Sequence, residues 1–574
     1  MANVFSQIAG LHPRRTAFDM TFDHRTTGEM GKLIPICCDY CHAGDTLKIG
    51  QELVIRFQPM AAPIMHEIEA IVHWYFVPFR LLWDKWERFF TGGKRGDDAS
   101  IIPRWNPTAD DLKIGSLWDY MQFPISDAYA ANVPPTDSKN LPHDFPRRAY
   151  NFIYDEYYRD QDFQQPLNPD TDDPDEASQP PQTWGPNREV KTRAWAKDYF
   201  TSARPFRQRG TAPAFPVSGE TEAVFEDVFR NSEGIPLLLL RGLSGFPNVN
   251  MVTQDMLIQP SAIYSTNNYT AAAHIQSQGG FGPVAGTNLT SRLGVNPKNV
   301  VSLSNATTFD VHDLRMAVQI QKWMERNARA GVRYTESIGA HFGRKPKDER
   351  LQRPEYIGGS KNMIVVSEIL QTSQSQTTPQ GTMSGHGLSA ATNYVDTYHV
   401  DEPGLVMAIL SVMPKAGYED GINRKFLFDN RYEIYWPEYA HLSEQAIYNC
   451  EVFPQGGQPL DPEGNPIIGG DLDIWGYIPR YDEYRINHDR VSGEMRVKTP
   501  TGQPSLGYWH LMRSFSSLPN LNSDFIECRP DKRIFLVPGT PTNPIHGLMI
   551  NFSATMKFIR PMPPIAEPGL MDHF

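Results

Sequence analysis

The sequence predicts a mainly β protein, a single sandwich closed by its own termini and interrupted by long insertions. Three observations predict it. The 574 residues hold 48 Pro and 43 Gly, clustered between apolar stretches in the manner of strand-and-loop proteins. Segments with a period of two stand near both ends of the chain, with hundreds of residues of weak periodicity between them. Hydrophobic content is 40% and aromatic content 11%, ample for a packed core and too high for a disordered chain.

Taken in order, the opening "MANVFSQIAGLHPRRTAFD" lacks the long apolar core of a signal peptide. No segment approaches the roughly 20 apolar residues of a membrane span, so synthesis in a cytoplasm without membrane insertion is expected. Residues 31–58 carry short apolar runs broken by the turn signal "HAGD". Within "CCDYCH", Cys38 and Cys41 have zinc-knuckle spacing, with His42 adjacent. A structural zinc needs four ligands, usually as two such pairs, and Cys450 and Cys528 are isolated. The five cysteines are an odd number, which argues against a disulfide framework, so free thiols on a strand are expected.

In "HEIEAIVHWYFVPF", Ile68, Ala70, Val72, Trp74 and Phe76 share one face, and Glu67, Glu69, His73 and Tyr75 the other. That alternation predicts a half-buried strand, with His73 a histidine of the more polar face. From about 92 to 305 periodicity fades. The run Asp170–Glu176 lacks the spaced ligands, central Gly and closing Glu of an EF-hand and reads as a solvated acidic loop. The Gly/Asn/Ser-rich stretch at about 245–300 reads as an exposed loop.

One helix stands out at 309–331. Asp310 and Asp313 sit at its start, Arg326 and Arg329 near its end, and Gly331 after it, while Leu314, Ala317, Val318 and Met324 lie near one stripe. A polar tract, "LQTSQSQTTPQGTMSGHGLSAATN", reads as a loop carrying His386. Strands return in "GLVMAILSVM", "DIWGYIPRYDEYRINHDRVSGEMRV", "RIFLVPG" and "HGLMINFSATMKFIRP", where Ile550, Phe552, Ala554, Met556 and Phe558 share a face. The resulting organisation is one domain: 1–91 with the first strands, 92–211 as a Pro-rich and acidic-aromatic insertion, 212–305 as a variable exposed insertion, and 306–574 with the helix and remaining strands.

Enzymatic constellations are scarce. The chain has no G-x-x-x-x-G-K-[ST], no strand-linked G-x-G-x-x-G, no H-E-x-x-H and no G-x-S-x-G. Asp482 and Glu483 would suit a glycosidase pair, but a chain with 66 Asp and Glu offers dozens of such neighbours. Neither catalysis nor a cofactor is expected.

The chain is acidic, with a net charge of -12, yet Arg315–Arg353 holds ten Lys/Arg against four Asp/Glu, braided with Trp323, Tyr334, His341, Phe342 and Tyr356. The candidate residues are Arg326, Arg329, Arg333, Arg344, Lys345, Arg350 and Arg353. They either pair with carboxylates and carbonyls of the same or neighbouring subunits or face a nucleic acid. Interleaved Glu325, Asp348, Glu349 and Glu355 favour the first reading.

The motif "RYTESIGAHFG…RLQRPEYIGG" closely resembles the major capsid protein of the microviruses, the small tailless single-stranded DNA phages, and within them the gokushovirus-like branch. "LIPICCDYCHAGDTLKI", "FVPFRLLWDKWERFFTGG", "EYYRDQDFQ", "KDYFTSARPFRQRG", "VSEILQTS…TPQGTMSGHG", "YWPEYAHLSEQAIYNCEV" and "VPG…PGLMDHF" follow in the family's order and cover most of the chain. The likeness lapses over about 212–305, and "CCDYC" departs from the family's pattern.

The resemblance implies a single eight-stranded antiparallel jelly roll with long insertions and a few helices. Sixty copies would form a T=1 icosahedral shell around a circular single-stranded DNA genome, assembled in the host bacterial cytoplasm. It further implies a small basic DNA-packaging protein, a pilot or minor spike protein, a scaffolding protein during assembly, and a host surface receptor. The insertion near 212–305 would rise as a protrusion near the threefold axes, which makes Asn267, Asn268, Tyr269 and Phe281 candidate host-recognition residues. Competing readings are a β-sandwich carbohydrate-binding adhesin and a carbohydrate-active enzyme.

Overall fold

The computed structural model describes residues 14–133, 140–167, 186–213, 238–240, 256–258, 311–331, 333–370, 383–456, 469–536, 539–540 and 543–565. The chain divides into two compact units, 1–211 with 323–574, and 212–322. In the second unit, Leu238–Leu240 pairs antiparallel with Met256–Ile258.

The first unit is built on β1 (Thr16–Asp19), β2 (Phe22–Gly28), β3 (Ile34–Cys41), β4 (Thr46–Phe57), β5 (Ile68–Pro78), β6 (Glu355–Met363), β7 (Val365–Leu370), β8 (Met383–His399), β9 (Gly404–Pro414) and β12 (Leu548–Arg560), with a small hairpin of β10 (Glu444–Tyr448) and β11 (Ile474–Pro479). One sheet has the order β1-β12-β4-β8-β7, with β2 also on β12; the other runs β3-β9-β5-β6. Every pairing is antiparallel.

The partners are nested: β2 with β12, β3 with β9, β4 with β8, β5 with β6. That is one long hairpin rolled on itself, the jelly roll. Among the described residues, the eight nested strands are joined by β1, which continues the edge beside β12, and by β7, which lies outside β8.

The core between the sheets shows why these residues form these strands. Ile68, Ala70, Val72, Trp74 and Phe76 of β5 face Leu47, Ile49, Leu53 and Ile55 of β4 and Ile550, Phe552, Ala554, Met556 and Phe558 of β12, all buried in one cluster. Each fully buried large aliphatic or aromatic side chain contributes roughly 1.5–3 kcal/mol. A polar bridge crosses this core. Trp74 Nε1 donates to Gln51 Oε1 at 2.6 Å, and Gln51 Nε2 donates to Ser360, linking β4 to β5 and β6.

The outer face of the four-stranded sheet is more buried than alternation implies. Tyr75, Val77, Leu405, Met407 and Ile409 join a second core with Trp83, Trp105, Trp118 and the helix α1 (Phe145–Ile153). The 92–211 insertion thus roofs this sheet, and β9 reads as a continuous apolar run because both its faces are covered.

Several strand expectations are corrected. Met383–Asn393, read as a loop, is the first part of the seventeen-residue β8, and His386 lies in it opposite Ser367. Its glycines mark close approach: a Cβ on Gly387 would stand 2.6 Å from the Phe57 ring, and one on Gly385 2.5 Å from the Ala62 carbonyl. Of the 473–497 run only Ile474–Pro479 is a strand, while Phe535 in "RIFLVPG" makes an isolated bridge to Met60. The run 170–176 lies outside the described residues.

Candidate functional site

The basic segment begins on helix α2 (Val311–Ala330), on which Leu314 and Val318 stay exposed. It stops at Gly331, whose φ of +106° few side chains tolerate. Helix α3 (Tyr334–Phe342) follows, with Glu336 in its first turn accepting from the Arg333 backbone N–H, and ends at left-handed Gly343.

Three of the seven predicted cations are tied into the chain. Arg329 donates to Glu444 at 2.8 Å and to the Ser443 carbonyl at 2.6 Å. Arg333 donates to the carbonyls of Asp155 at 2.5 Å and Arg159 at 3.2 Å, satisfying the end of the helical segment after α1. Arg353 grips Asp348 through Nε at 2.9 Å and Nη2 at 2.5 Å and lies 5.1 Å over the Tyr157 ring. Arg326, Arg344, Lys345 and Arg350 are exposed and have no ion-pair or hydrogen-bond partner among the described residues.

The partners differ from those the spacing suggested. Asp348 takes Arg353, but Glu355 accepts from the Tyr398 hydroxyl at 2.6 Å. Glu444, together with Asp162 beside Arg204 and Arg209, escaped sequence reasoning. Glu444 lies 115 residues from Arg329, so no local periodicity could reveal the pair.

Beside this cluster runs a groove of about 1000 Å³. Its floor is Glu67 and the outward side of β5, Glu69 to Tyr75, and its walls include Tyr157, Tyr158, Arg193 and Lys345. One end is ring-lined. His73 Nδ1 meets the Tyr158 hydroxyl at 2.8 Å, and Tyr75 donates to the same oxygen at 3.1 Å. Burial, aided by the Arg193 charge, pushes the His73 pKa down to about 4, so the imidazole is neutral near pH 7. The other end is charged, with Glu69–Lys361 at 2.7 Å and Lys415–Asp489 at 3.2 Å.

The other candidate chemistries resolve into structural roles. Cys37 and Cys41 point into the inter-sheet core, while Cys38 packs against the second core. The three thiols therefore do not converge, and burial raises the Cys38 pKa to about 12. Asp482 pairs with Arg485 at 2.5 Å, and Glu483 accepts from Gln445 at 2.6 Å. Among the described residues no three His, Cys, Asp or Glu side chains gather as a metal site, and no helix is long and apolar enough to cross a membrane. Asn267, Asn268, Tyr269 and Phe281 lie outside the described residues.

A rolled hairpin that pairs strands near both chain ends and leaves Arg326, Arg344, Lys345 and Arg350 exposed suits a subunit that meets other molecules. Comparison with known proteins decides which kind. Residues 6–570 match the family described as "Capsid protein (F protein)". The chain belongs to this phage capsid family. The protein is similar to the capsid protein VP1 of Chlamydia phage 1, 32% identical with 99% of this chain and 98% of that one aligned. Capsid protein VP1 of Bdellovibrio phage phiMH2K is 28% identical, with 99% and 98% covered, and that of Spiroplasma virus 4 is 26% identical, with 99% and 97% covered. The gokushovirus-type resemblance therefore extends over the whole capsid protein, including the groove and the cation segment.

Proposed function

We propose that this capsid protein forms a T=1 shell of sixty copies around circular single-stranded DNA, and that its 212–305 insertion takes part in host attachment. The observation that carries the reading is the nested jelly roll, in which β1 near the N-terminus pairs with β12 near the C-terminus. A subunit closed in this way has finished its own barrel and leaves its insertions for contacts with copies and partners. End-to-end alignment with three phage capsid proteins supports the same assignment.

Charge decides how such a shell tolerates a polyanion. At -12 per copy, an even distribution would repel the genome, since phosphate binding needs Lys/Arg to release condensed counterions. The exposed face of the six-stranded sheet offers little help. Lys48, Arg56, Arg25 and Lys557 there alternate with Asp19, Asp23 and Glu52. Neutralisation then falls to a small basic packaging protein, with Arg326, Arg344, Lys345 and Arg350 as the cations this chain leaves open to DNA or to neighbouring subunits.

The test is direct. Sedimentation and negative-stain imaging of the expressed protein, with and without the basic partner, yield closed shells or pentamers advancing to shells; a stable monomer overturns the proposal. In particles carrying Arg344→Gln and Lys345→Gln, DNA content per particle falls if these side chains reach the genome, and normal content removes them from that role. Shortening 245–300 leaves shells intact and lowers adsorption to host cells; loss of assembly would instead make the segment structural.

A further inference from the structure

The strand β7 (Val365–Leu370) ends the six-stranded sheet, and among the described residues nothing pairs with its outer edge. An open edge presents unpaired N–H and C=O groups, which only another extended strand satisfies in register. Soluble proteins guard such edges with lysines, prolines or bulges, and "VVSEIL" has none of these, its one charge being Glu368. Its side chains are exposed instead: Val365 is 68% exposed, Ile369 51% and Leu370 53%, flanked by exposed Met363 and Leu388. Val366 packs against the inter-sheet core, so Val365, Ser367 and Ile369 line the outward face.

We infer that β7 is a self-pairing edge, joining antiparallel to β7 of a second copy across a twofold axis and making one continuous sheet through two subunits. This rests on the shell-building reading above and names one contact within that shell. Symmetry and charge together select the register. A twofold normal to the sheet places each residue opposite one of the same face, so the centre of pairing falls on a residue. Centred on Glu368, two carboxylates would oppose each other, which destabilises. Centred on Val366 or Ile369, the paired ladder shortens. Centred on Ser367, residues 365–369 of both copies pair, and Val365 meets Ile369 of the second copy twice on the outward face, a favourable β-branched match. The five-residue ladder spans about 17 Å, too short a contact to bury by itself the roughly 800 Å² per partner of a stable interface. The contact therefore acts together with others and does not hold a dimer alone.

Ser367→Cys tests the register. Opposed Cα atoms in an antiparallel pair lie about 4.5–5.5 Å apart, inside disulfide range. Four of the five native thiols, Cys37, Cys41, Cys450 and Cys528, are buried, and Cys38 is partly buried against the second core, so crosslinking is run in a Cys38→Ser background. Purified particles carrying Ser367→Cys, oxidised with copper–phenanthroline, yield predominantly covalent dimers on non-reducing gels, and unsubstituted particles do not. The double variant Val365→Lys with Ile369→Lys sets ammonium groups against each other and lowers particle yield at least tenfold, while the unassembled subunit unfolds at an unchanged denaturant midpoint. Particles that form normally yet give no dimers overturn the inference and leave the shell reading intact, as do crosslinks from the introduced thiol to a different polypeptide. A protein that forms neither particles nor dimers overturns both.

Discussion

Removing the Arg560 side chain tests whether the chain ends are clasped by charge as well as by sheet pairing. Asp45, in the turn between β3 and β4, has a fully buried side chain, and Arg560 Nε donates to it at 3.1 Å. The same guanidinium donates to the Tyr40 carbonyl at 2.8 Å and lies 4.1 Å over the Phe558 ring. Breaking a buried ion pair from one side costs about 3–5 kcal/mol, because the remaining charge is stranded. Asp45 keeps one partner, the His42 backbone N–H at 2.9 Å, which places Arg560→Leu near the lower end, about 3 kcal/mol. Asp45→Asn preserves that acceptor without the charge, so Arg560→Leu in its background costs only about 1 kcal/mol. Urea unfolding of the purified subunit measures both, read as shifts in midpoint at constant slope. Equal costs in the two backgrounds, or a single-variant loss below about 1 kcal/mol, would refute the clasp.

Three other outcomes follow from the same geometry. Gln51→Leu strands the buried Trp74 N–H and lowers stability by about 1–3 kcal/mol, measured by the red shift of tryptophan emission in urea unfolding. Gly387→Ala drives a methyl into the Phe57 ring and costs about 1–3 kcal/mol by denaturant titration, whereas Gly456→Ala, whose Cβ meets nothing within 4 Å, is limited to the milder strain of its positive φ. His73 makes stability fall on acidification. Its folded pKa near 4 lies below the ordinary value of 6.5, so between those values the unfolded chain binds the extra proton, and stability present above pH 6.5 is lost as pH drops toward 4. The slope amounts to about 3 kcal/mol across that window, and His73→Gln flattens it in urea titrations at stepped pH.

The strands legible in the sequence were those with one wet face or two dry ones. Residues 68–76 and 550–558 alternate because one side meets the inter-sheet core, and 404–413 is apolar apart from Ser411 because α1 and its neighbours cover the second face. The strand at 383–399 was hidden because Gly385 and Gly387 stand where backbone and ring atoms approach too closely for side chains, and small residues imitate a loop. At the cation segment the residue types were visible but their fates were not. Arg353 finds a carboxylate five residues away and Arg333 pairs with Glu336 three residues on, whereas Arg329 and the other side-chain bonds of Arg333 rely on groups more than a hundred residues distant. The added strand β7 was concealed by its own exposure, since an edge without a buried face leaves little alternation to read.

The last strand among the described residues, Leu548–Arg560, is a central one, seated between β2 and β4. At about 5–20 residues per second, a ribosome needs roughly half a minute to two minutes to deliver it. Throughout that interval the strands flanking the vacant slot have no neighbour there, and fragments cut short by premature release can never gain one. A chain released before residue 548 therefore lacks the strand that joins β2 to β4 and cannot complete the six-stranded sheet.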